Sequence, residues 1–273
     1  MGRLAGIAVS LLGLAVVFAA ITRSAAADGR RRAVPAAEAA GVADPPVLPS
    51  PAAPVAAVDT SARPLNITGR VTFEGEAPKA KKVRGAGLAC GCVPNGIPEV
   101  ASLILVNSNG TLRNVVVLVT KAPRGAKPSK PAAPLTIRSK AHVFVPCVSA
   151  VAAGAEVTFT NDDPCFGCVH ALCEANIEQN FTLKEGQSKT VRFDNAEAVR
   201  VKSDLYPWMR AWIVVAPTPF FDVTDDAGRF ELKDLPPGEY TVEARHETLG
   251  TQKQTVTLAA GGAPKLEFVF RKP

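Results

Sequence analysis

Between Asp163 and Cys173 the sequence reads DPCFGCVHALC, three cysteines and a histidine in eleven residues. Thiolate and imidazole are soft donors, and Cys-x-x-Cys-x-His spacing suits zinc or Cu(I). The ligands to consider are Cys147, Cys165, Cys168 and His170, with His142 or Met209 beside them. Cys165-Phe166-Gly167-Cys168 also has the spacing of a thiol–disulfide pair. Such pairs work at a helix N-terminus near positive charge, whereas Asp162 and Asp163 precede this one. Haem attachment is excluded, because histidine would have to follow the second cysteine directly. The remaining chemistry is structural: the cysteines are staples.

Compartment decides among these. Behind Met1-Gly2-Arg3 runs an apolar stretch, Leu4 to Ile21, and then Ala25-Ala26-Ala27, small residues that suit signal peptidase. Residues 1–27 are therefore expected to be an export signal. The run is also just long enough for a membrane anchor, so a tether through residues 4–21 is the alternative. Arg23 and Arg30-Arg31-Arg32 oppose it, since positive flanks are held on the cytoplasmic side. An exported chain, periplasmic or extracellular, meets an oxidising environment. Cys90, Cys92, Cys147, Cys165, Cys168 and Cys173 are accordingly expected in disulfides, with metal binding as the alternative use. Six cysteines admit about fifteen pairings. A staple from the Cys90–Cys92 region to Cys147 and a closed loop within Cys165–Cys173 are the preferred ones.

Residues 28–64 are dense in alanine and proline, balance acid against base and show no apolar period. Such a stretch cannot bury enough surface to offset its ordering entropy, and it reads as a disordered linker. Loss of Arg3 and Arg23 with the leader would reduce the formal charge of +6 to +4. The basic residues do not cluster with aromatics, so a nucleic-acid surface is not expected. No G-x-S-x-G, H-E-x-x-H or phosphate loop occurs, and the three histidines, 142, 170 and 246, are scattered. His246 is expected to be a lone surface or strand residue. The chain is expected not to be an enzyme.

What positions these residues is a β framework. Runs rich in Val, Ile, Thr and Phe recur at 67–73, 102–106, 114–120, 157–160, 190–193, 198–202 and 212–215, separated by turn signals such as Asn109-Gly110 and Asp194-Asn195. No stretch of helical period rivals them, so the fold class is all-β, sandwich or barrel. After Pro217-Thr218-Pro219 the pattern changes to tight turns at Asp225–Gly228 and Pro236-Pro237-Gly238.

This second block resembles the carboxypeptidase regulatory-like family. The matching positions are Thr224, Asp225, Gly228, Phe230, Leu232, Leu235, Pro236, Gly238, Tyr240 and Val242. The resemblance implies a small transthyretin-like sandwich over 218–273, an accessory or carbohydrate-binding-like module without peptidase chemistry.

The block at 65–217 resembles the plastocyanin-type cupredoxins, including exported methylamine-utilisation-like proteins. Phe144-x-Pro146 followed by Val151, Gly154, Val157, Phe159, Asn161 and Asp163 matches one signature, and Val201 to Met209 matches the other. The resemblance implies a Greek-key β-sandwich. It also implies a type-1 copper site, with ligands at the positions held here by Gly167, Ser203, Tyr206 and Met209. Three of the four have lost the ligand, because the copper plane needs two imidazoles and a thiolate. No cofactor is therefore expected, copper or zinc in a remade Cys/His site being the alternative. The expected function is that of an exported, non-catalytic binding or structural protein whose partner is an envelope protein or a glycan. A metal-binding or electron-transfer protein and a thiol–disulfide protein are the alternatives.

Overall fold

The computed structural model describes residues 65–77, 104–128 and 133–272. The expected signal or anchor, the linker, and Cys90 and Cys92 lie outside the described residues. Within them every regular element is a β-strand, sixteen in all.

The sheets do not divide where the sequence divides. β1 (Leu65–Glu74) pairs antiparallel with β13 (Arg229–Leu235) and parallel with β16 (Lys265–Arg271). β2 (Val116–Lys121) pairs antiparallel with β12 (Phe221–Val223) and with β14 (Gly238–His246), which in turn pairs with β15 (Gly250–Leu258). One sandwich is thus made of β1 and β2 together with β12–β16. Ile67, Val71, Val117, Val119, Leu232, Tyr240, Val242 and Phe268 fill the core between its two sheets. The expected boundary at 217 is corrected: β1 and β2 belong with the C-terminal strands. A sequence window cannot reveal this, since Gly69 and Leu266 meet across nearly the whole chain.

The second sandwich lies wholly inside the first in chain order, between β2 and β12. One of its sheets runs β4 (Val143–Val145), β3 (Leu135–Lys140), β6 (Ala155–Asn161), β9 (Ser188–Phe193). The other runs β5 (Val148–Ala152), β11 (Arg210–Ala216), β10 (Ala198–Lys202), β7 (Gly167–Leu172), β8 (Gln179–Leu183). β3 with β6 and β5 with β11 are parallel, and the chain crosses between sheets at β4 to β5, β5 to β6, β6 to β7, β8 to β9 and β9 to β10. This is the Greek-key sandwich that the cupredoxin resemblance implied, with Ile137, Phe159, Val169, Phe193, Val201 and Ile213 in its core.

A third apolar cluster, Val116, Leu118, Trp212, Val214 and Ala216, joins the two sandwiches through β2 and β11. Both strands are therefore covered on both faces. That explains the unbroken apolar runs Val115–Val119 and Ala211–Ala216, which lack the alternation of a half-exposed strand. Glu243 sits directly opposite Leu118 on β14 and is 3% exposed. Its carboxylate takes Arg245 Nη2 at 2.7 Å and Lys253 Nζ at 2.6 Å.

The regulatory-like residues are structural. Asp225 accepts the N–H groups of Ala227 and Arg229 and closes the corner from β12 to β13. Gly228 has φ +69, and a β-carbon there would come within 2.7 Å of Val71 O, so no other residue fits. Tyr240 donates its hydroxyl proton to Pro236 O at 2.6 Å and pins the next corner. These turns carry the chain from one sheet to the other and are not hairpins, because β12 and β13 lie in different sheets.

Candidate functional site

The expected ligands lie at one pole of the inserted sandwich, on the turn between β3 and β4, the segment between β6 and β7, and the loop 203–209 between β10 and β11. Ser203 is buried, and its Oγ accepts the N–H groups of Leu205 at 3.3 Å and Tyr206 at 3.1 Å. Ser203 N donates to Met209 O, so the loop is closed on itself. The oxygen at the thiolate position is thus committed to backbone. Tyr206 stacks on His142 with ring centroids 4.3 Å apart, and its hydroxyl donates to Cys165 Sγ at 3.4 Å. Burial first, then the bond to Cys165, pushes its phenol up to about 12, so it stays protonated. Met209 is 1% exposed and packs in the core. A β-carbon on Gly167 would lie 3.0 Å from the Asn161 side chain, whose Nδ2 donates to Cys165 O and Leu183 O. Asparagine fills the room an imidazole would need. Type-1 copper does not fit these residues.

The alternative ligands do not converge either. β7 begins at Gly167, so most of the supposed loop is strand. Val169 and Ala171 face the core while Cys168 and His170 face the other way. Cys165 alone points to the pole. Cys147 is an exposed free thiol beside Asn114 Nδ2 at 3.5 Å. No two of the described cysteines are bonded to each other, which corrects the expected loop closure within Cys165–Cys173. The reason is the strand: at about 3.3 Å rise per residue, cysteines at its two ends are farther apart than the roughly 7 Å a disulfide tolerates between Cα atoms. The expected staple from the Cys90–Cys92 region to Cys147 falls on residues outside the described ones. Cys173 is a thiol pushed up to about 11, first by burial and then by Glu197 and Glu178. Cys165 and Cys168, the alternative redox pair, are not bonded to each other, and their sulfurs meet different groups: Cys165 Sγ meets Tyr206 and His142, Cys168 Sγ meets Asp204 N and Asn180.

His170 is used by two carboxylates. Its Nε2 lies 2.8 Å from Glu178 and its Nδ1 2.7 Å from Asp204. The bond to Glu178 most of all, and then Asp204, raises it above its ordinary 6.5. Asp204 is held down to about 2, first by Lys202 and then by His170. The acids sit on opposite ring nitrogens, so the cluster clasps a proton and offers no common point to a metal. Its stabilisation is complete below the unfolded histidine value of 6.5 and is lost as pH rises through the raised folded value. Melting curves of the native chain and His170→Gln, taken from about pH 5.5 to about pH 9, should differ most at the acid end and converge toward the alkaline end. A difference constant with pH would show that the imidazolium contributes nothing.

Sequence reasoning gave His142 and Asp163 only minor places, yet they complete the pole. Ala141 and His142 form the two-residue turn between β3 and β4 with φ +52 and +56. Such turns ask for positive φ at both positions, normally Asn-Gly, so these two residues cost about 1–3 kcal/mol each. Asp163 holds the turn, accepting His142 N at 3.2 Å and Ser139 Oγ at 2.7 Å. His142 O accepts Trp208 Nε1 at 3.1 Å. The imidazole is 1% exposed, with Nδ1 3.3 Å from Asp163 Oδ2 and Nε2 3.6 Å from Cys165 Sγ. Phe166 and Leu205, both exposed, flank the pole.

The fold defines an all-β protein of two sandwiches, one of them a Greek key carried inside the other in chain order. Residues 207–271 match the family model of the carboxypeptidase regulatory-like domain, which therefore includes the last strand of the inserted sandwich but omits β1 and β2. Among solved structures the chain is similar to a copper-containing nitrite reductase from Thermus scotoductus SA-01, at 18% identity and TM-score 0.29, over 32% of this chain. It spans a quarter (25%) of that enzyme. It is similar to a purple cupredoxin from Nitrosopumilus maritimus, at 18% identity and TM-score 0.27, over 30% of this chain and 99% of that one. It is also similar to a reduced amicyanin mutant, at 18% identity and TM-score 0.28, over 33% of this chain and 97% of that one. Comparison with curated proteins finds no match.

Proposed function

We propose that this is an exported, non-catalytic binding or structural protein, in which a cupredoxin-like sandwich without type-1 copper is carried as an insertion in a regulatory-like one. The observation that carries this reading is the use of the ligand positions for folding: Ser203 Oγ caps its own loop, Asn161 occupies the room beside Gly167, and Tyr206 keeps its proton. A groove of about 630 Å³ on the split sandwich, lined among others by Arg70, Asp225, Arg229, Lys233, Lys265 and Glu267, supports a polar partner such as a glycan or an envelope protein. Its mixed charges suit hydrogen bonding more than apolar burial.

The test is optical. Intense visible absorption of blue copper arises from charge transfer between a cysteine thiolate and Cu(II), and the ligand plane for it is missing here. Mature protein titrated with Cu(II) should therefore show no strong visible band. A strong thiolate-to-copper band at one equivalent would overturn the loss of the site. Gly167→His alone cannot restore it, because Asn161 would first have to move.

A further inference from the structure

We infer that Asn109, at the exposed tip of the turn 107–111, is a site of spontaneous covalent modification: its side-chain amide is lost through a cyclic imide with Gly110, leaving aspartate or isoaspartate in a turn that braces β1. The inference goes beyond the proposed binding role and does not depend on it.

The first support is the residue pair. Ring closure needs the backbone nitrogen after the asparagine to reach the side-chain carbonyl carbon, and glycine, having no side chain, obstructs that approach least. Among the described residues Asn109-Gly110 is the one Asn-Gly pair, whereas Asn66, Asn176 and Asn180 are followed by Ile67, Ile177 and Phe181. The second support is the hold on the carbonyl. Asn109 Oδ1 accepts Thr111 N at 3.2 Å and Thr111 Oγ1 at 2.7 Å. Two donors on one oxygen stabilise the negative charge that gathers there as a nucleophile adds to the carbon. The third support is the leaving group. Asn109 is exposed, and its Nδ2 donates to no described residue. The Nδ2 groups of Asn66, Asn176 and Asn180 are instead engaged by Glu231, Glu197 and Asp204.

The reaction needs only water. Gly110 N gives its proton to hydroxide and bonds to Asn109 Cγ. The bond from Cγ to Nδ2 breaks, and Nδ2 leaves as ammonia, taking a proton from water and regenerating hydroxide. A water then opens the imide at either carbonyl, so water is consumed, ammonia is released and no electron moves. Gly110 N donates to Asn107 O at 2.9 Å, and this bond must open first, which makes the reaction slow. The two products act differently on the turn. Aspartate keeps an acceptor for Thr111. Isoaspartate routes the main chain through the side chain, adding a methylene that displaces Gly110 O from Phe73 N, its donor on β1 at 2.8 Å. The turn has no room to absorb that shift, because Thr111 is 1% exposed and its Cβ lies 2.5 Å from where a β-carbon on Gly228 would stand.

The experiment ages the purified, folded protein in heavy-oxygen water at neutral and at mildly alkaline pH. Peptide mass spectrometry with chromatographic separation of isoaspartate reads the conversion, and melting curves read its effect. The peptide carrying Asn109 should take up heavy oxygen and divide into aspartate and isoaspartate forms, faster at the alkaline pH, while Asn66, Asn176 and Asn180 stay intact. Thr111→Val removes one donor from Oδ1 and should slow conversion about tenfold. Asn109→Gln should not convert, because its imide needs a larger ring, and this keeps the test independent of how well Thr111→Val folds. Asn109→Asp should melt like the fresh native chain, and the isolated isoaspartate form should melt lower. Asn109 intact after ageing that converts Asn66, Asn176 or Asn180, conversion no faster at the alkaline pH, conversion of a folded Thr111→Val at the native rate, or an isoaspartate form as stable as the native chain would each overturn the inference.

Discussion

Replacing both Arg245 and Lys253 with alanine should destabilise the protein by about 3–5 kcal/mol, whereas replacing Glu243 with leucine should cost much less. The asymmetry follows from burial. Glu243 is 3% exposed, while the side chains of Arg245 and Lys253 are 28% and 64% exposed. When the carboxylate is removed the two cations swing into water and recover hydration. When the cations are removed the carboxylate cannot follow them, because it lies opposite Leu118 in the seam between the sandwiches. Burial by itself would raise Glu243; the bonds to Lys253 and then Arg245 outweigh it and hold its carboxyl below the ordinary range. Urea denaturation near neutral pH measures the order of the variants. If the double alanine variant loses no more than Glu243→Leu, the seam does not depend on this charge.

Acid should weaken the split sandwich through His246. Burial alone lowers this imidazole from 6.5 to about 4. It packs against Phe270 at 6.2 Å between ring centroids, and its Nδ1 accepts Thr248 N at 3.1 Å and Leu249 N at 3.3 Å. The buried strand position, rather than a surface one, is what makes it refuse a proton. Between those two pH values the unfolded chain binds the proton and the folded chain does not, so stability falls as pH falls. The loss begins below the unfolded value and amounts to about 3 kcal/mol once pH reaches the folded value. His246→Asn retains an acceptor for the two N–H groups and cannot titrate. Its stability measured from about pH 7 to about pH 4 should therefore decline less than that of the native chain, by about that amount. Parallel decline of the two would show that His246 is protonated in the folded state.

Local chemistry was legible in the sequence wherever one residue type decides it. Serine at 203, tyrosine at 206 and glycine at 167 exclude a type-1 copper plane without any coordinates, because the donors are missing atoms. The regulatory-like turns were legible for the same reason: Asp225, Gly228 and Tyr240 act on neighbours within a few residues. The strand at 167–172 was not, because cysteine and histidine drew attention to donors and away from the alternation that places Val169 and Ala171 in the core. Once that stretch is extended, the expected disulfide loop cannot close.

The sequence by itself determined the all-β class, the absence of the copper ligands and the tight corners, since each rests on composition, side-chain type or contacts within a turn. The tertiary structure alone decided that β1 and β2 complete the C-terminal sandwich around an inserted one, and that β2 and β11 are buried on both faces. It also decided that Asp163, His142 and Cys165 stand in line at one pole. These outcomes depend on pairings between segments far apart in the chain, whose partners are chosen by which apolar faces can cover each other. A linear pattern records the faces and not the choice.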